Sequence, residues 1–413
     1  MSENINERED IIMEFIRSYF KNFVCLSYEA RIMLMIYMCQ CISAGVAFFI
    51  AIYLKIHLNL SAESIGFIVS LFATGNLLGA IGAARILDRV NPFLITTASL
   101  FIQGCCFLSI ALSSSVYSIG IAMLMLGISG YAYVVSSEFL IVTSSGRNEK
   151  IKSSAISFIN VSSNMGVGLG GVLVTVFSAM HPKELIMGIG VSLLLLSIYY
   201  LKARSNITYK TESVNSNSKV YSLYRPHIYY LSLFFIFVLG LVFAQQRVSY
   251  SLYLENNFGN SAISSLLLLN SLLIIVFLPS VNDYSQKKNK VRLMGIGGVM
   301  LAGGMAIYQY TNSYFIVFLL CIITTFGEMI GTLLSQLLCF QSARPASKGK
   351  AMGYYKFLYA LGTIMGTSLG GYVQQHYGMN YVWIFCGILA FVMLVTTYSS
   401  QKTMPIEASV LIN

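Results

Sequence analysis

Glu328 makes the strongest chemical demand in this sequence. It stands in ITTFGEMIGTLL, residues 323–334, a lone carboxylate within a long apolar run. Even the mildest scales put roughly 2.5–3.5 kcal/mol on an acidic side chain at the centre of a bilayer. An acid kept there should face a wet interior or pair with a cation. Burial disfavours the ionised form of a carboxyl. Such a group can take a proton from one side and release it to the other. Proton coupling, or the binding of a cationic group, is the chemistry expected of Glu328. The bland alternative is a fixed salt bridge, or a hydrogen-bonded acid that ties two helices together.

Arg247 is the natural partner. It sits in FAQQRVSYSLYL, residues 243–254. Gln246 and Tyr250 share one face of a continuous helix at i and i+4. Arg247 could bind an anionic group of a cargo molecule or gate with Glu328; snorkelling to outer headgroups is the alternative. The amides Gln40, Asn76, Asn160, Asn164 and Asn270 also fall inside apolar runs, with Asn160 and Asn164 one turn apart. They line a cavity or hydrogen-bond between helices. Glu138 is expected at the membrane interface, paired with Arg89 or Arg147, and Lys356 is expected to snorkel. His57, His181, His227 and His376 do not cluster. No Ser-His-Asp, HExxH or phosphate-cradling Gly-rich pattern occurs, so neither catalytic residues nor a cofactor nor a metal is expected. Cys39-x-Cys41 and Cys105-Cys106 lack nearby His or carboxylate partners. The eight cysteines read as small apolar packing residues.

The elements that position these groups follow from composition. The chain has 413 residues, 56% hydrophobic and only 10% charged, with a mean hydropathy of +0.72. A soluble domain needs more surface charge, so the expected fold is an all-α, multispanning membrane protein. A crossing helix takes about 20 apolar residues. Twelve such runs occur: 32–54, 62–86, 92–112, 116–142, 154–179, 184–202, 228–253, 261–281, 291–311, 314–340, 350–374 and 378–400. Lys and Arg fall in alternate loops, with only Lys55 and Lys183 on the other side. The positive-inside rule then puts both termini in the cytoplasm. The net charge of +10 faces the inner leaflet of a plasma membrane, not nucleic acid. IIMEFIRSYFKNF, residues 11–23, fits an amphipathic helix on the membrane surface or a plain cytoplasmic lead-in.

A polar stretch between the sixth and seventh runs divides the chain. The expected organisation is a cytoplasmic segment 1–30, a six-helix half 31–204, a linker 205–226, a second half 227–401 and a tail 402–413. The halves echo each other at an offset of about 196: Asp88 answers Asp283, Gly166 answers Gly362 and Gly170 answers Gly366. Two related halves around a midplane site are a transporter architecture.

GAARILDRVNPF, residues 82–93, resembles the cytoplasmic motif Gly-x-x-x-Asp-Arg-x-Gly-Arg-Lys of the major facilitator superfamily. Asp88 and Arg89 match its acidic-basic pair, while Ala84 and Asn91 replace its glycines and Pro92 and Phe93 its basic residues. Residues 48–80 are similar to the drug- and metabolite-export branches of that family. GVGLGGVLV keeps Gly166 and Gly170 of a motif found in drug/proton antiporters, but Gly171 replaces its Pro and Val174 a further Gly. The resemblance implies a gating role for Asp88, Arg89 and Asp283. A helix start carries free N–H groups and partial positive charge. Asp88 is expected to dock on the eleventh span near Ser347–Lys350, and Asp283 on the fifth near Ser153 and Ser154. It also implies a monomeric secondary transporter of a small organic solute, drug-like or siderophore-like, with H+ as coupling ion and export as direction. Proton-coupled uptake of a peptide, siderophore or other nutrient is the alternative. A membrane enzyme would need clustered acids or histidines at one interface, and a receptor would need a sizeable soluble region; neither feature occurs.

Overall fold

The computed structural model describes residues 19–402 apart from 48–49, 51–52, 55–57, 59–61, 88, 147, 178–180, 204–225, 248 and 345–346. Among the described residues the chain is helical throughout, without strands. Twelve long helices carry the architecture: α1 Tyr28–Ala47, α2 Ala62–Ile86, α3 Pro92–Leu112, α4 Val116–Ser144, α5 Glu149–Phe177, α6 Pro182–Ala203, α7 Pro226–Arg247, α8 Asn260–Gln286, α9 Lys290–Ile307, α10 Tyr314–Ser342, α11 Lys348–Tyr377 and α12 Met379–Lys402. A ten-residue helix, Ser249–Phe258, lies between α7 and α8. Residues 249–253 of the expected seventh span belong to it.

The long helices run from 18 residues in α9 to 30 in α11, or about 27 to 45 Å at 1.5 Å per residue. A hydrocarbon core of about 30 Å is spanned by such lengths, α9 together with the turn Tyr308–Tyr310 that follows it. Eleven of the described helices are also apolar enough to cross. The exception is α11, which carries Lys348, Lys350 and Lys356 along with many glycines. Local signals set the ends. Asn91 accepts from the Phe93 amide at 2.9 Å ahead of Pro92, starting α3. Asn289 accepts from the Arg292 amide at 3.1 Å, starting α9. Gly378, at φ 96°, supplies the left-handed residue that closes α11 and opens α12.

Packing repeats with a period of six helices. In the first half α1 packs on α5, α2 on α4, and α3 on both α4 and α6. In the second, α7 packs on α11, α8 on α10, and α9 on both α10 and α12. The glycines that echo each other in the sequence do the same work in both halves. A Cβ at Gly166 or Gly170 would strike the backbone carbonyls of Met38 or Ile42 in α1. A Cβ at Gly362 or Gly366 would strike those of Phe237 or Leu241 in α7. Small residues let the backbones close to this distance. The halves meet along two seams related by the same offset, α2 with α11 and α5 with α8.

Candidate functional site

Buried charge concentrates where the halves meet. Glu138 lies six residues from the end of α4 and is 1% exposed. Lys356, eight residues into α11, reaches its Oε1 at 2.8 Å. Tyr37 of α1 donates its hydroxyl to the same oxygen at 3.0 Å. Gln336 of α10 donates its amide to Oε2 at 2.7 Å. One carboxylate from the first half is therefore held by two groups of the second half and one of its own. This corrects the sequence reading twice. Glu138 is not an interfacial acid paired with Arg89, which is exposed, and Arg147 lies outside the described residues. Lys356 does not snorkel; its side chain is 18% exposed and turned to Glu138. At 1.5 Å per residue the two sit about 9 and 12 Å from the helix ends that carry the basic loops. That matched depth, in opposite charges on helices that the repeat sets facing, was the available signal.

Glu328 falls at the middle of α10 and is half-buried. Asn270 of α8 donates to its Oε2 at 2.9 Å and to Thr325 Oγ1 at 3.0 Å. The carboxylate thus has an amide donor from the neighbouring helix at mid-depth. Gln246 lies half-buried in the last turn of α7 and Tyr250 in the first turn of Ser249–Phe258; residue 248 between them lies outside the described residues. Tyr250 is buried, with its ring 4.8 Å from that of Tyr308. The side chain of Arg247 lies outside the described residues.

The remaining amides divide by their partners. Gln40 is buried and donates to Gln103 Oε1 at 3.0 Å, joining α1 to α3. Asn160 and Asn164 donate to carbonyls of their own helix, those of Ile156 and Asn160, at 3.0 and 2.9 Å. Their carbonyl oxygens stay on one face of α5. Asn76 is half-buried on α2.

The basic end of the α5–α8 seam is closed by polar groups. Ser153 Oγ donates to Asn282 Oδ1 in a short hydrogen bond, and Gln286 Nε2 donates to Ser153 Oγ at 2.7 Å. Asn282 Nδ2 reaches Ser154 Oγ at 3.5 Å. The start of α5 is thus met by Asn282, the neighbour of Asp283, the acid expected there. Asp283 accepts from Asn22 Nδ2 at 2.6 Å. Gln341 of α10 donates to Glu149 Oε2 at 2.8 Å beside the same seam. On the α2–α11 seam Gly353 sits against Ala84 so closely that a Cβ would strike it. Asp88 lies outside the described residues. These contacts, with the Glu138 cluster, all fall in the basic half of the helices.

Two pseudo-repeated six-helix halves, sealed against each other at one end around a buried ion pair, define the class: a polytopic helical transporter fold. The model of the Major Facilitator Superfamily matches residues 33–367, and the chain belongs to that superfamily. No curated protein matches the sequence. Among solved structures, the crystal structure of the human organic anion transporter MFSD10 (TETRAN) is similar with a TM-score of 0.66. The two are 13% identical, over 93% of this chain and 99% of that one. That likeness is one of fold. The superfamily membership rests on the match over residues 33–367.

Proposed function

We propose that the chain is a proton-coupled secondary transporter of a small organic solute, working by alternating access of its two halves. The observation that carries the reading is the position of the polar contacts between halves: they cluster at the basic end and bury a full ion pair there. Opening that end must part Glu138 from Lys356 and Gln336. By the distribution of Lys and Arg the basic end is the cytoplasmic one, in a plasma or inner membrane. Glu328 is the coupling acid, at mid-depth and in reach of Asn270, with Arg247, Gln246, Tyr250, Asn76, Asn160 and Asn164 as candidates to meet cargo. Asp88 and Arg89 act with Asp283 at the cytoplasmic gate. The cargo is drug-like or siderophore-like and the direction export; nutrient uptake is the second reading, favoured by the loss of the antiporter proline at Gly171.

The test is flux in proteoliposomes under an imposed pH gradient, with ethidium and a ferric hydroxamate siderophore as probes. Wild type should accumulate one of them in a gradient-dependent manner. Glu328→Gln should lose the gradient dependence while still exchanging the probe. A variant that keeps full gradient-driven transport would remove Glu328 from the coupling role.

A further inference from the structure

Pro279 lies inside α8. Proline has no N–H, so the carbonyl four residues earlier, that of Ile275, gets no helical donor from it. A residue far away in sequence supplies one: Tyr19 donates its hydroxyl to Ile275 O at 3.2 Å. Three residues on, Asn22 donates to Asp283 Oδ2 at 2.6 Å. Tyr19 and Phe23 also pack edge-on against Phe158 of α5, at ring separations of 5.5 and 5.3 Å. Tyr19, Asn22 and Phe23 stand at i, i+3 and i+4, one face of the short helix at 19–24. Phe20 and Val24, on the other face, are 61% and 60% exposed. This piece therefore grips the first half through Phe158 and the second through α8, across the seam that Ser153 and Asn282 close.

We infer that residues 19–24 form a strap that holds α8 against α5 and biases the basic end toward closure, anchored on the carbonyl that Pro279 releases. The inference rests on the two-half reading above. The strap runs directly into α1, which packs along α5, so it moves with the first half. Parting α5 from α8 then breaks its two hydrogen bonds to α8 and keeps its aromatic contacts. Tyr19 and Asn22 are positioning residues and touch no cargo.

The test uses the full chain in lipid nanodiscs, with the exposed Cys25, Cys39 and Cys105 replaced by serine. Spin labels are placed at Lys150→Cys and Lys287→Cys, exposed positions at the basic ends of α5 and α8. Distance distributions then report the ratio of open to closed molecules. Tyr19→Phe should raise that ratio about two- to tenfold, the weight of one hydrogen bond. In a Pro279→Ala background residue 279 gives Ile275 an amide donor, and the same change should leave the ratio where Pro279→Ala sets it. Asn22→Asp, set against Asp283, should open the seam, and Asn22→Lys should close it. No shift from Tyr19→Phe, an equal shift in both backgrounds, or shifts of one sign from the two Asn22 variants would overturn the strap. A single fixed distance in wild type under all conditions would instead overturn the two-half reading on which it stands.

Discussion

Glu138 is tolerated inside the bundle because three groups reach its two oxygens, from Tyr37, Gln336 and Lys356. Removing one partner of a buried pair leaves the other without compensation and costs about 3–5 kcal/mol, whereas replacing both by apolar or neutral groups is often close to neutral. Glu138→Gln and Lys356→Met should each lower the unfolding midpoint in detergent, and the double variant should recover most of the loss. A double variant as unstable as the two losses added would mean that the two side chains do not act as a pair. The sequence displays Glu328 because an acid in the middle of an apolar run stands out, whether it serves coupling or ties helices together. It hides Glu138, since an acid near a span end is ordinary at an interface. Only the folded arrangement, which brings the first turns of α11 beside the last turns of α4, shows that its neighbours are Lys356 and Gln336.

At the scale of the helix, the bilayer imposes a length and an oil content that can be counted residue by residue. The twelve long helices follow the apolar runs closely for that reason. The expected seventh span, 228–253, covers α7 and the first turn of Ser249–Phe258, with residue 248 between them outside the described residues. The match to Asp88 points to Asp283 at the start of α5, and its neighbour Asn282, one residue and 100° of helix turn away, is bonded to Ser153 there. Rotation about a helix axis is fixed by packing on the neighbours, which no span count contains. Glycine spacing does carry packing information. Gly166→Ala should lower the melting temperature measurably, because the added Cβ meets the Met38 carbonyl and the Cys41 side chain. Gly168→Ala, two residues on, meets open space and should be neutral or slightly stabilising through helix propensity. Equal melting temperatures for the two would mean that α1 and α5 are not packed as described.

At the scale of the molecule, the six-helix period appears twice over, in the packing within each half and in the two seams between halves. On the proposed alternating-access reading, a seam closed by hydrogen bonds at one end and repeated by pseudo-symmetry is a hinge that closes at the other. The offset of about 196 residues, readable from Gly166 and Gly362, anticipated this symmetry. The closed end was not readable, because which groups touch depends on the conformer and not on the sequence pattern. The central claim is tested by measuring both ends of one molecule. Spin-label distances would be taken between positions 150 and 287 at the basic end, and between 117 and 377 at the opposite end, where Tyr117 and Tyr377 are exposed. Across a series of pH values and added cargo probes the account predicts that the first distance lengthens as the second shortens. Glu138→Gln should shift both toward an open basic end. Two distances that stay fixed, or that lengthen together, would contradict it.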